Sequence, residues 1–198
     1  MVAALVVIPS GAPAASEVVQ RAIQTMAVPS DSILYARSHA VREDEDYGVR
    51  QVWVYGNQRM RWLEDGNEEV YAKGEGTTRT RDGKTERFPG VTMVPNEIFR
   101  AGALLDAAKS AKGIELSEDG NAYVLRWREK SGPPHWPAIE MTMWVDKETY
   151  APLKFTDHSW GQDVEGKPFD QTYTETILEF KTLPATPENL KQLDLGAQ

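Results

Sequence analysis

The sequence predicts an α+β domain in which a long antiparallel meander is accompanied by three helices, and three observations predict it. Stretches that alternate apolar and polar residues, clearest in "AIEMTMW" at 138–144, mark strands with one face on a core. Tight-turn signals such as "EDGN", "RDGK" and "SEDGN" separate these stretches by too little chain for helical crossovers, so neighbouring strands run antiparallel. Helical periodicity replaces the alternation before the first strand, midway along the chain and near the end.

The first helix opens at Ser16, a side chain suited to an N-cap, with Glu17 in its first turn. Val18, Val19, Ala22, Ile23 and Met26 form its apolar stripe, and it ends before Val28-Pro29. Strands follow over 33–41 and 49–55, with the acidic "REDEDYG" at 42–48 as a solvated turn between them. Two more cover 60–63 and 70–73, and "RDGK" at 81–84 sits in a further hairpin. The second helix runs from about Asn96 to Lys112: Pro95 precedes it, Ile98, Phe99, Ala101, Leu105 and Ala108 form its stripe, and Gly113 stops it. Beyond it come strands at 114–116 and 122–128, the alternating strand turning at Asp146–Thr149, and a last strand over 172–183. Thr186-Pro187, an N-cap followed by proline at N1, opens a short helix carrying Leu190 and Leu193. The longest irregular stretches, 74–91 and 131–137, read as rim or lid loops.

With 198 residues, 40% hydrophobic and 26% charged, the chain can build one sizeable core. A net charge of −8 disfavours nucleic acid and basic-patch binding to anionic membranes. The absence of cysteine excludes disulfides, thiolate zinc sites and cysteine nucleophiles. In the opening "MVAALVVIPSGAPAAS" the apolar run from Val2 to Ile8 is too short to span a bilayer, which takes ~20 apolar residues. It has the apolar run and the small-residue exit, at Ala12-Pro13-Ala14, of an export signal but lacks the basic n-region. Residues 1–15 are therefore expected to be the remnant of an export signal or membrane anchor, or an ordinary flexible tail, and 16–198 a single domain.

Catalytic constellations fail on geometry. Asp157, His158 and Ser159 are consecutive in an extended segment and point to alternate faces, so they cannot form one triad. His39 and His135 lack further ligands at metal spacing, and "KGEGTTR" lacks the third glycine, lysine and following helix of a phosphate loop. Glu43–Asp46 misses the calcium-loop pattern. No catalytic residue, metal site or cofactor is expected, and the chain reads as a non-enzyme.

The unusual feature is the placement of large soft side chains. Trp53, Met60, Trp62, Trp127, Met141, Met143 and Trp144 all fall on expected strands. The more apolar parity of each strand gives an inward set: Val52, Val54, Met60, Trp62, Val70, Tyr123, Leu125, Trp127, Ile139, Met141, Met143, Leu153 and Phe155. Methionine adapts to irregular partners and tryptophan adds a polar handle, so the set suits an apolar cavity and equally a core packed by helices.

Three stretches, "SEVVQRAIQTMA", "VWVYGNQRMRWLEDGNEEVYAKG" and "MTMWVDKETYAPLKFTDHS", with the closing "LEFKTLPATPENLKQLDL", resemble the bacterial lipoprotein-carrier superfamily of LolA, LolB and RseB over about residues 16–195. The resemblance implies an incomplete antiparallel β-barrel, a curved sheet with helices covering its concave face, and a cavity between the two layers that holds acyl chains. On that reading Met60, Trp62, Leu125, Trp127, Met141, Met143 and Phe155 line the cavity, and Ile98, Phe99, Leu104 and Leu105 cover it. No ligand motif of the family maps residue by residue, and without cysteine there is no lipobox. Two functions follow from different classes. One is an extracytoplasmic (periplasmic, cell-envelope or secreted) carrier of lipid, acyl chains or lipoprotein. The other is a sensory or protein-interaction ectodomain of a membrane-anchored regulator, RseB-like or anti-sigma-factor-like, with a membrane-associated protein as partner.

Overall fold

Asp-Gly pairs set the registers of the first half of the sheet. Asp65 and Gly66 (φ 47° and 74°) and Asp82 and Gly83 (φ 49° and 73°) both turn left-handed, as a two-residue type I′ hairpin requires. They join β3 (Arg59–Glu64) to β4 (Asn67–Ala72), and β5 (Gly76–Arg81) to β6 (Lys84–Phe88). The computed structural model describes residues 13–27, 29–56, 58–90, 100–111, 113–129, 138–163 and 165–197. Before these hairpins come α1 (Ala15–Met26), β1 (Ser32–Arg42) and β2 (Glu45–Tyr55). After them come α2 (Arg100–Ser110), β7 (Glu115–Asp119), β8 (Ala122–Glu129), β9 (Ala138–Asp146), β10 (Pro152–Gln162), β11 (Pro168–Pro184), α3 (Pro187–Leu190) and a 3₁₀ turn, Lys191–Leu193.

All eleven strands form one antiparallel sheet in the order β6-β5-β4-β3-β2-β1-β11-β10-β9-β8-β7. It consists of two meanders fused where β1 pairs with β11, from Ser32↔Pro184 to Arg42↔Tyr173. The edges β6 and β7 do not pair with each other, so the barrel is incomplete, and α2 lies in the connection from one edge to the other. Register breaks at Arg37/Ser38, Ala40/Val41 and Pro152/Lys154 bend the strands that carry them.

The pleat sorts side chains onto two cores. Leu34, Ala36, Val52, Val54, Met60, Leu125, Met141, Met143 and Phe155 pack with Val18, Val19, Ala22 and Met26 of α1 and Ala101, Leu105 and Ala108 of α2 on the concave face. Ile33, Tyr35 and Trp53 point the other way and are covered by Leu190 and Leu193 of the C-terminal segment. The fold class read from the sequence, α+β with an unclosed curved sheet and helices on its concave face, is thus the observed one; α3 alone sits on the convex side.

Several local expectations are corrected. The N-cap of α1 is Ala14, whose carbonyl accepts from Glu17 and Val18, and Ser16 lies inside the helix. The acidic stretch is not a seven-residue turn: only Glu43 and Asp44 turn, and the strand resumes at Glu45. The stretch expected as an irregular loop over 74–91 is largely the β5–β6 hairpin, turning at the "RDGK" signal as expected; its mostly polar residues carry no apolar alternation. Val70 pairs with Arg61 and faces outward, so Tyr71 takes the inward place; Leu153 is exposed because the Pro152/Lys154 break shifts its parity. The loop expected at 131–137 lies outside the described residues.

Candidate functional site

The concave layer brings together the residues singled out from the sequence. Met60, Leu105, Leu125, Trp127, Met141, Met143 and Phe155 are each at most 2% exposed and share one cluster, with Trp62 and Leu104 packed against it. Ile98 and Phe99 lie outside the described residues. The layer exists because strands β3, β8, β9 and β10 present their apolar parity to one side, while α1 and α2, packed on each other, close over it.

Polar handles in this layer are left unused. The indole Nε1 groups of Trp62 and Trp127 are both buried with no hydrogen-bond partner among the described residues. Leaving such a donor unpaired costs ~1–3 kcal/mol. The two tryptophans lie on β3 and β8, separated in the sheet by five strands. Each lines an opening: one of about 270 Å³ beside Trp62, with Asn67, Arg79 and Arg81, and one of about 350 Å³ beside Trp127, with Gly113 and Glu115.

Between them the concave face carries a polar network that the sequence reading missed. Glu175 accepts from Ser38 Oγ at 2.6 Å, Tyr173 OH at 2.7 Å and Arg50 Nη1 at 3.3 Å. Arg50 also donates from Nε to Glu64 at 2.6 Å and from Nη1 to Tyr173 OH at 3.0 Å. Burial works against the Arg50 charge, yet the hydrogen bond to Glu64 and the nearby Tyr173, Glu175 and Glu64 outweigh it and raise its pKa. A signal for the network was present: Ser38, Arg50 and Glu64 fall on the inward parity of strands that are otherwise apolar there, such as Leu34-Ala36 and Met60-Trp62.

On β10, Asp157 and Ser159 pair with Met141 and Ile139, while His158 takes the opposite face and meets Asp170 at 2.7 Å. His39 is bound to Asp46 at 2.8 Å. Among the described residues no group of three acidic, histidine or cysteine side chains could hold a metal ion, and no helix is long and apolar enough to cross a membrane.

No protein-family model and no curated protein matches the chain. Among solved structures it is similar to MucB, determined in complex with MucA(peri), at 15% identity and a TM-score of 0.43 over 93% of this chain. The chain spans 60% of that protein's length. It is also similar to a LolA superfamily protein from Nitrosomonas europaea, at 12% identity and a TM-score of 0.37, covering 90% of this chain and 97% of the other. At such identities the functional reading rests on the chain's own geometry.

Proposed function

We propose that this protein is an extracytoplasmic, non-enzymatic carrier that holds a lipid or the acyl chain of a lipoprotein between the concave face and helices α1 and α2. The observation that supports this most directly is an apolar layer of methionines and aromatics that contains two unpaired buried indole donors, Trp62 and Trp127. A plain core gains nothing from such donors, whereas a guest with an apolar chain and an acceptor oxygen would use both properties of the layer. Each methylene buried contributes ~0.8 kcal/mol, so retention requires no bond-making residue. In the helix-closed form the layer is packed, and loading proceeds by displacing a helix from the sheet.

The test is native mass spectrometry of the protein purified from a bacterial host, compared with the denatured chain. The expected result is a non-covalent adduct of lipid mass that disappears on denaturation. A bare mass that stays bare with added phospholipid or fatty acid would overturn the carrier reading and leave the concave layer as plain core.

A further inference from the structure

On the convex face, opposite the helices, lies a second concavity of about 900 Å³. Its floor is the outward side of β4 and β5, where Val70 and Thr78 pair, and one wall is the C-terminal segment at Asp194 and Leu195. That wall is built in. Arg61, 3% exposed, donates from Nη1 to Gln192 O at 3.2 Å and from Nη2 to Ala197 O at 2.6 Å, and Glu68 accepts from Gly196 N at 2.9 Å.

The lining is unlike the rest of this acidic chain. Arg59, Lys73 and Arg87 face two carboxylates, Glu75 and Asp194, in a protein of net charge −8. Arg59 is taken by Asp194 at 2.5 Å and Arg87 meets Glu75 at only 3.7 Å, while the Lys73 ammonium has no partner among the described residues. Leu195 remains 41% exposed beside these cations, which gives the groove an apolar anchor point. A free cation in a mixed apolar and polar groove of this volume exceeds what a simple inorganic anion fills.

We infer that this convex groove is a docking site for an acidic peptide segment of a partner protein, with carboxylates at Lys73 and Arg87 and an apolar side chain against Leu195. The site is independent of the concave layer, since the two lie on opposite faces of the sheet. Local positive charge in the groove attracts the carboxylates of an acidic segment, while the net charge of −8 repels that segment from the rest of the surface, which gives specificity and a salt-dependent association.

The experiment is a ¹⁵N-HSQC titration of the whole chain at 50 and 300 mM NaCl with a synthetic heptapeptide of alternating Asp/Glu and Leu, and with its Lys-for-acid counterpart. Saturable shifts of the Tyr55, Lys73, Gly76 and Thr78 amides with the acidic peptide alone are expected. They should weaken about tenfold in Lys73→Glu/Arg87→Glu and again at high salt. That double variant is expected to keep any lipid adduct of the wild type, so the outcome is separable from the carrier reading. Absence of saturable shifts, shifts confined to concave-face residues such as Leu125 and Met143, or groove shifts that track protein concentration without peptide would overturn the assignment.

Discussion

Replacing Glu175 tests whether the concave polar network is held together as the structure shows. Glu175→Ala removes the acceptor of Ser38 Oγ (2.6 Å) and Tyr173 OH (2.7 Å) and the carboxylate nearest Arg50 Nη1 (3.3 Å). Ser38 Oγ and Tyr173 OH then lose this acceptor in a buried site, and Arg50, with 22% of its side chain exposed, keeps Glu64 as its counter-charge. Breaking one member of such a buried set costs about 3–5 kcal/mol, toward the lower end here because Arg50 stays paired. For a chain of this length that lowers Tm by roughly 10 °C. Glu175→Gln, which keeps one acceptor, should lose about half as much. Arg50→Met/Glu64→Gln/Glu175→Leu removes all three charges of the network and should be more stable than Glu175→Ala, since apolar and neutral side chains then fill the site without a stranded charge. Urea unfolding followed by tryptophan fluorescence gives these free energies, provided the m-value is unchanged. A loss below about 1 kcal/mol for Glu175→Ala, or a triple variant no better than the single one, would refute the network.

Two further perturbations probe the rest of the framework. Arg61→Ala should release the C-terminal segment: amides of residues 192–197 lose hydrogen-exchange protection while those of β9 keep theirs, and equal protection in variant and wild type would show that Arg61 is not the clamp. In the β9–β10 turn, Asp146 Oδ1 accepts from Thr149 N at 2.8 Å, Thr149 Oγ1 at 2.9 Å and Glu148 N at 3.0 Å. The backbone bond from Thr149, aided by its hydroxyl, lowers the Asp146 pKa below its ordinary value of 3.8. Its contribution is therefore complete above the unfolded-state pKa and is lost as pH falls through the lower folded-state value. Asp146→Asn should be less stable at pH 7 and should show a shallower acid-side loss; an unchanged acid slope argues against the turn.

Which parts were readable in the sequence follows from how much apolar signal each strand carried. β9 alternates strictly because one face meets α1 and α2, and the Asp-Gly turns and the Thr186-Pro187 cap have a local conformational cause, Thr186 Oγ1 accepting from Asn189 N at 3.2 Å. The β5–β6 hairpin is almost wholly polar, so apolar periodicity had nothing to register there and only its "RDGK" turn was legible. In "EEVYA" two adjacent apolar residues compete for the inward side, and Tyr71 wins because register with Met60 places it under the helices. The network failed to appear for a different reason. Ser38 and Glu175 are 137 residues apart, and only the pairing of β1 with β11 makes them neighbours. Strand order is a long-range property, and neither alternation nor turn chemistry encodes it.

The closed concave layer sets a length requirement on any guest. Lifting α1 off the sheet uncovers Val18, Val19, Ala22 and Met26, which are between 0% and 8% exposed in the closed form. At ~2 kcal/mol for each of the three larger side chains and ~1 for alanine, that separation costs about 7 kcal/mol. The polar links of α1 to the β9–β10 turn, Arg21 Nη1 to Tyr150 OH at 3.0 Å and Thr25 Oγ1 to Thr149 O at 3.1 Å, are exposed and add little. A guest recovering ~0.8 kcal/mol per methylene must therefore bury roughly nine of them before the open, loaded form competes with the closed one. Calorimetric titration with saturated fatty acids of increasing length should accordingly show no binding for short chains and a steep gain once about ten carbons are passed. A change that weakens the packing of the α1 stripe on the sheet, such as Val19→Ala, should move that onset to shorter chains by about two methylenes. If a six-carbon acid binds as tightly as a sixteen-carbon one, guests are not exchanged by lifting α1, and the layer between sheet and helices is a core and nothing more.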